Sequence, residues 1–450
     1  MNKFDDFFKD ILANSQISLD RELTVDEIRF IISKINEFFY TNYEGIGETT
    51  ALDGTFEYFS EFHKFWEKNH KEILNPKIDE EKCNKMADVL HDIYINRGRQ
   101  AFYELYDTYN LGPETICKIR YFSANQDFRG SRDFQKLFNK YSEDPSIFDK
   151  QNIYDNPEDF LKNIGVTKLS QNDKRVKFAM TAAKLLIDNE IEPFSLLDFC
   201  DNDIFKVRKL LTTNTGSGFG NKKTDMFLRD MVVLGVWDNV NNFDKLDVAS
   251  DINTVKVALR SGILKTDIVL VSSFLDIFCH QYSLIDEMNA LAWRRVWEKW
   301  KEKYPNETIE SPSLIDYLVY RIIGKEFCRE DLCYFVCESG QHQFAWHSSR
   351  NKTCQVCYSN GIKGQKAKLV KRVLPCTSDD GHLVIEKNEF VSGTNALFGG
   401  ISECPFADVC QSKSSSFRKL NPPKSISILG ATGWDSARAR ANEGGGGLMS

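Results

Sequence analysis

From its first residues to about position 330, the apolar side chains of this chain recur at spacings of three and four. That is the period of a helix that buries one face. ELTVDEIRFIISKINEFF and FEYFSEFHKFWEKNHKEIL set the pattern early, and polar breaks such as SANQDFRGSRD and NTGSGFGN separate the later helices. Between about 111 and 330 no run alternates long enough to build a sheet. The pattern predicts an all-α fold, with a helical N-terminal region over 1–110 and a helical core over 111–327. A chain of 450 residues can bury a large core and has room for two or three domains, so it has no need of disulfides.

Beyond residue 328 the texture changes to short segments, glycine and serine turns, and cysteine. Eight of the 12 cysteines fall between Cys328 and Cys410. This reads as a small metal-held module over 328–420. Cys354-x2-Cys357 is a knuckle suited to a tetrahedral ion, and Cys376, Cys404 and Cys410 follow, the last two in the turn CPFADVC. Cys328, Cys333 and Cys337 precede the knuckle, with His342 and His347 close behind, so two sites of four ligands are arithmetically open. The expected ligand set is Cys354, Cys357, Cys376, Cys404 and Cys410, with zinc favoured over a [4Fe–4S] cluster and no organic cofactor expected. The last stretch, ATGWDSARARANEGGGGLMS, is rich in Ala, Arg and Gly where the preceding chain is rich in Lys, Ile and Phe; it resembles a non-native addition, and 421–450 as a whole reads as a flexible tail.

The net charge of −7 excludes a chain that is basic throughout. Binding to a phosphate backbone needs only a local patch, and from Ser339 to Ser378 there are seven Lys or Arg residues and no Asp or Glu. Lys363, Lys366, Lys368, Lys371 and Arg372 are its densest part; a solvated charge run is the plain alternative. No apolar run approaches the roughly 20 residues that span a bilayer. The opening MNKFDDFFKDIL is acidic where a secretory leader is basic. The expected compartment is the cytoplasm, with no membrane and no protein partner inferred. Trp293, Trp297, Trp300 and Tyr304 share one helical face, a stripe that could stack bases but is ordinarily core.

The segment VRKLLTTNTGSGFGNKKTDMFLRDM carries more chemistry. One helix ends, Gly216, Gly218 and Gly220 make a turn, and a second helix begins near Lys223. Such a hairpin can bring bare main-chain N–H groups close to a phosphate. Glycine-rich turns join helices in many folds, and here the strand that precedes a dinucleotide loop is missing. Further on, DKLDVASDINTVKVALRSGIL places Asp251 just before an amphipathic helix. For a lone aspartate the simplest reading is an N-cap. A carboxylate at a helix N-terminus is also electrostatically favoured.

The order helix, glycine hairpin, Lys-Thr, helix, loop, Asp, helix resembles the helix-hairpin-helix DNA glycosylase superfamily. The likeness covers about residues 155–265, including FLKNIGVTKLSQNDKRVKFAMTAAKLLID before the hairpin. It implies that GFGNKKT is the DNA-gripping hairpin with the lysine of bifunctional members. It also implies that ASDIN supplies the essential aspartate, with Asn253 standing where many members have histidine or arginine. The hairpin is one residue longer than the usual G-x-G-x-K-T, so either Lys222 or Lys223 can take the lysine's place. The 28 positions from Lys223 to Asp251 resemble the archaeal 8-oxoguanine branch more than the endonuclease III-like one. ASDINTVKVALRSGIL, the tryptophan-rich helix and SPSLIDYLVYRI also resemble the queuosine salvage N-glycosylases, which act on a free nucleotide.

What the resemblance implies is an N-glycosylase. Breaking the bond builds positive charge on the sugar, which a carboxylate, Asp251, can stabilise while orienting water. Lys223, or Lys222, would attack C1′ only as the neutral amine. A duplex substrate must first have its base flipped out, which is easier for a damaged or modified base. The expected partner is DNA, with Gly216, Gly218, Gly220 and Asn253 at the backbone together with the basic stretch, in base-excision repair or in defence against phages with modified DNA. The alternatives are a queuosine-type nucleotide N-ribohydrolase and a non-catalytic zinc-containing nucleic-acid-binding protein.

Overall fold

The computed structural model describes residues 3–18, 75–103, 108, 111–126, 134–166, 172–265, 283–327, 332–339, 343–346, 352–359, 361–373, 376–377, 383–384 and 404–410. The expectations placed on 19–74, on Cys328, His342 and His347, and on the tail 421–450 lie outside these residues. Helix α1 (Lys3–Ser15) is followed by strand β1 (Lys77–Ile78) and α2 (Glu80–Arg97). Then come α3 (Pro113–Ala124), α4 (Phe134–Glu143), α5 (Lys150–Asp155), α6 (Pro157–Asn163), α7 (Asn172–Asp188), α8 (Leu196–Phe199), α9 (Ile204–Thr213), α10 (Asn221–Val233) and α11 (Ile252–Ser261). Strand β2 (Leu264–Lys265), the long helix α12 (Ser283–Lys303) and a π-helical segment, Tyr317–Phe327, lead into β3 (Leu332–Cys337) and β4 (Gln343–Trp346). The short helix α13 (Gln355–Ser359), β5 (Ala367–Val373), β6 (Cys376–Thr377) and β7 (Leu383–Val384) end the series. The protein is mostly helical, as the apolar periodicity requires. No described helix is long and apolar enough to cross a membrane.

Two compact units divide the chain. One comprises Met1–Ala101, Asp251–Glu307 and Leu318–Ser450; the other comprises Phe102–Ser250 and Thr308–Tyr317. The division runs through the stretch 111–327 read from sequence as one core, because periodicity reports which face of a helix is buried and not which helix buries it.

In the second unit α3 lies at the centre. Ile116, Cys117, Ile119, Tyr121 and Phe122 are all buried, and a helix apolar on every side belongs in the middle of a core. The Tyr121 ring meets Phe219 and Phe227 at 5.0 and 5.7 Å, and its hydroxyl donates to the Ala182 carbonyl of α7 at 3.1 Å. Arg120 shares this burial and needs a counter-charge. It finds one in Asp230 of α10, to which its Nε donates at 2.8 Å. Asp230 also accepts from Arg229, at 2.9 Å from Nη2, and Arg229 in turn reaches Asp316. Two arginines and two aspartates thus join α3, α10 and the 308–317 segment inside the core.

In the first unit α2 starts cleanly: the Asp79 side chain accepts from the Lys82 N–H at 2.9 Å, and Glu80 and Glu81 occupy the first turn. Its buried stripe, Cys83, Met86, Ala87, Leu90 and Ile93, packs on α12. The tryptophan stripe of α12 is core. Trp293, Trp297 and Trp300 are buried, with the Trp300 indole donating to the Glu307 carbonyl at 2.9 Å. Tyr304 stacks on His91 at 3.6 Å. Beta structure is added where the cysteines begin: β4, β3 and β5 form an antiparallel sheet in that order. In β3, Phe335 and Cys337 are buried two positions apart and so share a face, opposite Leu369 and Ala367 of β5.

Removing the Asp230 carboxylate takes a buried counter-charge from Arg120 and one of two from Arg229. Asp230→Ala is expected to destabilise the protein by about 3–5 kcal/mol, read as a lowered midpoint in urea unfolding. A shift below about 1 kcal/mol would mean that the network does not hold this unit together.

Candidate functional site

The hairpin is built from α9 and α10. Asp203 caps α9 by accepting from the Phe205 and Lys206 N–H groups at 2.9 and 3.3 Å. Arg208 of α9 reaches Asp225 of α10 with two bonds of 2.5 and 3.0 Å, bracing the two helices against each other. Between them Gly216 and Gly218 have φ of 88° and 78°, the left-handed region that favours glycine. At Gly218 space is a second constraint: a Cβ there would lie 2.8 Å from the Phe178 ring and 2.9 Å from the Asn125 carbonyl. Gly220 differs, since a Cβ would meet nothing within 4 Å. It is the N-cap of α10 and brings no side-chain oxygen to that helix's first turn. An anion approaching along the axis of α10 would meet main-chain N–H groups and the positive end of the helix dipole.

Asn125, at the end of α3, is not legible as a site residue in the sequence, yet it organises the turn. Its buried amide donates to the carbonyls of Phe178 and Ser217, each at 3.2 Å. Its own carbonyl accepts from Lys223 Nζ at 2.8 Å. That ammonium lies 5.4 Å from the centre of the Phe178 ring, which adds a cation–π attraction. Lys223 therefore does structural work in holding the hairpin to α3 and α7, while its neighbour Lys222 is exposed.

Asp251 is the N-cap of α11 and is buried, at 7% exposure. Its Oδ1 accepts from the Asn253 and Thr254 N–H groups, both at 2.9 Å, and Oδ2 accepts from the Asn253 side-chain amide at 3.2 Å. Thr254 completes a capping box by accepting from the Asp251 N–H at 2.9 Å, and Asn289 of α12 donates to the Thr254 hydroxyl at 3.0 Å. The structure thus joins Asp251 with Asn253, and the capping role that the sequence allows is present. Gly324 of the π-helical segment lies against this corner: a Cβ there would come within 2.6 Å of the Asn253 Cβ. Nothing in the sequence marks Gly324, because its constraint comes from a neighbour 71 positions away. Asp251 and Asn253 belong to the first unit, and Gly216, Gly218, Gly220, Lys222 and Lys223 to the second.

In the cysteine module the structure brings two of the expected ligands together with a third cysteine. Cys337, Cys354 and Cys357 are buried together with their sulfurs all within 4.8 Å of one another, and this trio could hold a metal ion. Cys354 and Cys357 belong to the expected set; their companion is Cys337, and the half-buried Cys404 and Cys410 lie outside the trio. Cys376 is described only in its backbone, as part of β6 paired with β7. In LCYFVC the alternation puts Cys337 on the same face as the buried Phe335, but no local spacing ties it to the knuckle 17 positions on. Burial, with hydrogen bonds from the Cys357 thiol to Cys354 and Cys337, pushes that thiol up to about 12; a divalent cation would oppose that shift. Lys363, Lys366 and Lys368 are exposed, and Lys371 and Arg372 continue along β5 opposite Tyr334 and Cys333.

The two hairpin glycines make opposite predictions. Gly218→Ala should cost at least about 2 kcal/mol, from positive φ and overlap together. Gly220→Ala should cost less than about 1 kcal/mol. Thermal unfolding of the two variants checks the ordering; equal losses would show that Gly218 is not tightly packed. The chain matches no protein-family model and no curated protein sequence.

Proposed function

We propose that this protein is a DNA N-glycosylase of the helix-hairpin-helix kind, releasing a modified or damaged base to leave an abasic site. The observation that carries the reading is the pairing, in sequence order, of a helix–glycine turn–helix unit with a buried, oriented aspartate. The turn is left open at Gly220, at the N-terminus of α10, and Asp251 follows as the cap of α11. The first suits a DNA phosphate. The second suits the positive charge that grows on the sugar as the glycosidic bond breaks. Main-chain bonds fix the Asp251 carboxyl, so little reorganisation is needed when that charge develops. On this reading the Asn253 amide, now on Oδ2, gives way to a substrate contact.

The lysines divide the available chemistry. Lys223 would have to leave the Asn125 carbonyl to attack C1′, so water is the favoured nucleophile and Lys222 the more accessible amine. Hydrolysis without strand cleavage is the expected product pattern. The exposed Lys363, Lys366 and Lys368, with Lys371 and Arg372, supply a backbone grip, which a polymer substrate needs and a free nucleotide does not. The module's metal is, on this reading, zinc. Damaged bases are the default substrates; modified cytosines of phage DNA are the other class, because this kind of fold changes its base by changing its pocket. The same capping bonds favour a second reading, a zinc-containing protein that binds nucleic acid without cleaving it, in which Asp251 serves α11 alone.

Asp251→Asn separates the two readings, since asparagine caps a helix about as well as aspartate and the fold should persist. Base release from damaged or phage-modified duplex DNA is expected to fall at least about 100-fold. Undiminished release would exclude Asp251 as the catalytic carboxylate, and no release by either protein would favour the binding reading. In parallel, replacing Lys363, Lys366 and Lys368 with Gln should weaken DNA binding and flatten its salt dependence, by roughly 0.9 in logarithmic slope for each phosphate no longer neutralised. An unchanged slope in filter binding from low to moderate salt would remove this face from the interface.

A further inference from the structure

We propose that Cys337, Cys354 and Cys357 bind one zinc ion as thiolates, and that this ion is the core around which the β4–β3–β5 sheet is organised. The proposal concerns the cysteine module alone and stands or falls separately from any glycosylase activity.

Geometry comes first. A tetrahedral zinc with bonds of about 2.3 Å to sulfur places its sulfurs ~3.8 Å apart. Here Cys337 Sγ and Cys357 Sγ are 3.9 Å apart, and all three sulfurs lie within 4.8 Å. A disulfide would bring two of them to about 2.05 Å and leave the third unused. A [4Fe–4S] cluster attaches each thiolate to a different iron and so spreads its ligands more widely than one ion does.

Donors to the sulfurs come second. The Cys357 N–H points at Cys354 Sγ at 3.5 Å, the main-chain contact that a C-x2-C knuckle gives its first thiolate. The Ser339 hydroxyl lies 3.0 Å from Cys337 Sγ. Donors of this kind favour the thiolate, the form that binds metal.

The third argument is what else holds this part of the chain. The buried cluster here consists of Phe335, Cys337, Cys354, Cys357 and Ala367, with Val356 packed against it. Among the described residues three of its five buried members are the cysteines, so the thiols lie at the centre of this cluster. The trio joins parts that are separate in sequence. Cys337 ends β3, Cys354 and Cys357 flank the start of α13, and the knuckle is stitched to β5 by Cys354 N–H to the Gln365 carbonyl at 2.8 Å and Ala367 N–H to the Lys352 carbonyl at 3.0 Å. An ion bound by all three would fix β3 against the knuckle and, through it, the exposed Lys366 and the start of β5 with its exposed Lys368. Zinc bound in this way supplies folding free energy directly. Three thiolates leave the fourth position of the tetrahedron to a ligand outside the trio.

The test uses the full chain, with zinc counted by plasma mass spectrometry after dialysis and the site reported by cobalt substitution. Cys337→Ser should contain about one zinc fewer per chain than the wild type. Cys337→His, which keeps a ligand in case the serine variant fails to fold, should retain the metal while losing about a third of the thiolate-to-cobalt charge-transfer absorbance. Stripping zinc with a chelator should speed trypsin cleavage after Lys363, Lys366 and Lys368 at least about tenfold, and added zinc should reverse it. A wild type without zinc, or a Cys337→His variant with an undiminished cobalt band, overturns the site. Equal cleavage with and without zinc overturns its organising role.

Discussion

Asp230 accepts from two guanidinium groups inside the helical unit of 102–250 and 308–317, and the position of α10 follows from that arrangement. Buried charges are tolerable only when each has its counterpart in place. Arg120 can therefore remain in the centre of α3 only if α10 lies alongside, and Arg229 only if Asp316 closes the set. Because α10 is fixed in this way, its N-terminus and the glycine turn before it are fixed as well. The Arg208–Asp225 brace then sets α9 against α10.

The hairpin shows how one short sequence divides its labour among neighbouring residues. Gly218 is glycine because two elements press on it, Gly220 stands in open space, Lys223 is tied to the Asn125 carbonyl, and Lys222 is exposed. A motif read along the chain treats these positions as equivalent members of one pattern. In three dimensions the packed members hold the turn and the open ones remain accessible. The same division appears at Asp251. Its Oδ1 serves the helix, and its Oδ2 meets the Asn253 side chain, whose own position is limited by Gly324.

In the cysteine module the sequence supplied chemistry without geometry. The C-x2-C knuckle is local, so Cys354 and Cys357 could be paired from spacing alone. Their partner could not be chosen among the surrounding cysteines by counting, because a strand return can bring residues from either side to the knuckle. Tertiary structure brings Cys337 to them.

By itself the sequence determined what depends on near neighbours. These are the helical class, from apolar periodicity; the cap at Asp251; the turn at Gly216 and Gly218; and the burial of the tryptophan stripe of α12. All of them rest on contacts within a turn or two of helix, or on the amphipathic face that such a helix must bury. Tertiary structure alone decided which helices share a unit, that Asn125 and Gly324 constrain the hairpin and the aspartate corner, and that Cys337 completes the thiol trio. Those outcomes rest on pairs of residues tens of positions apart, whose meeting depends on how whole elements pack and leaves no periodic mark in the chain.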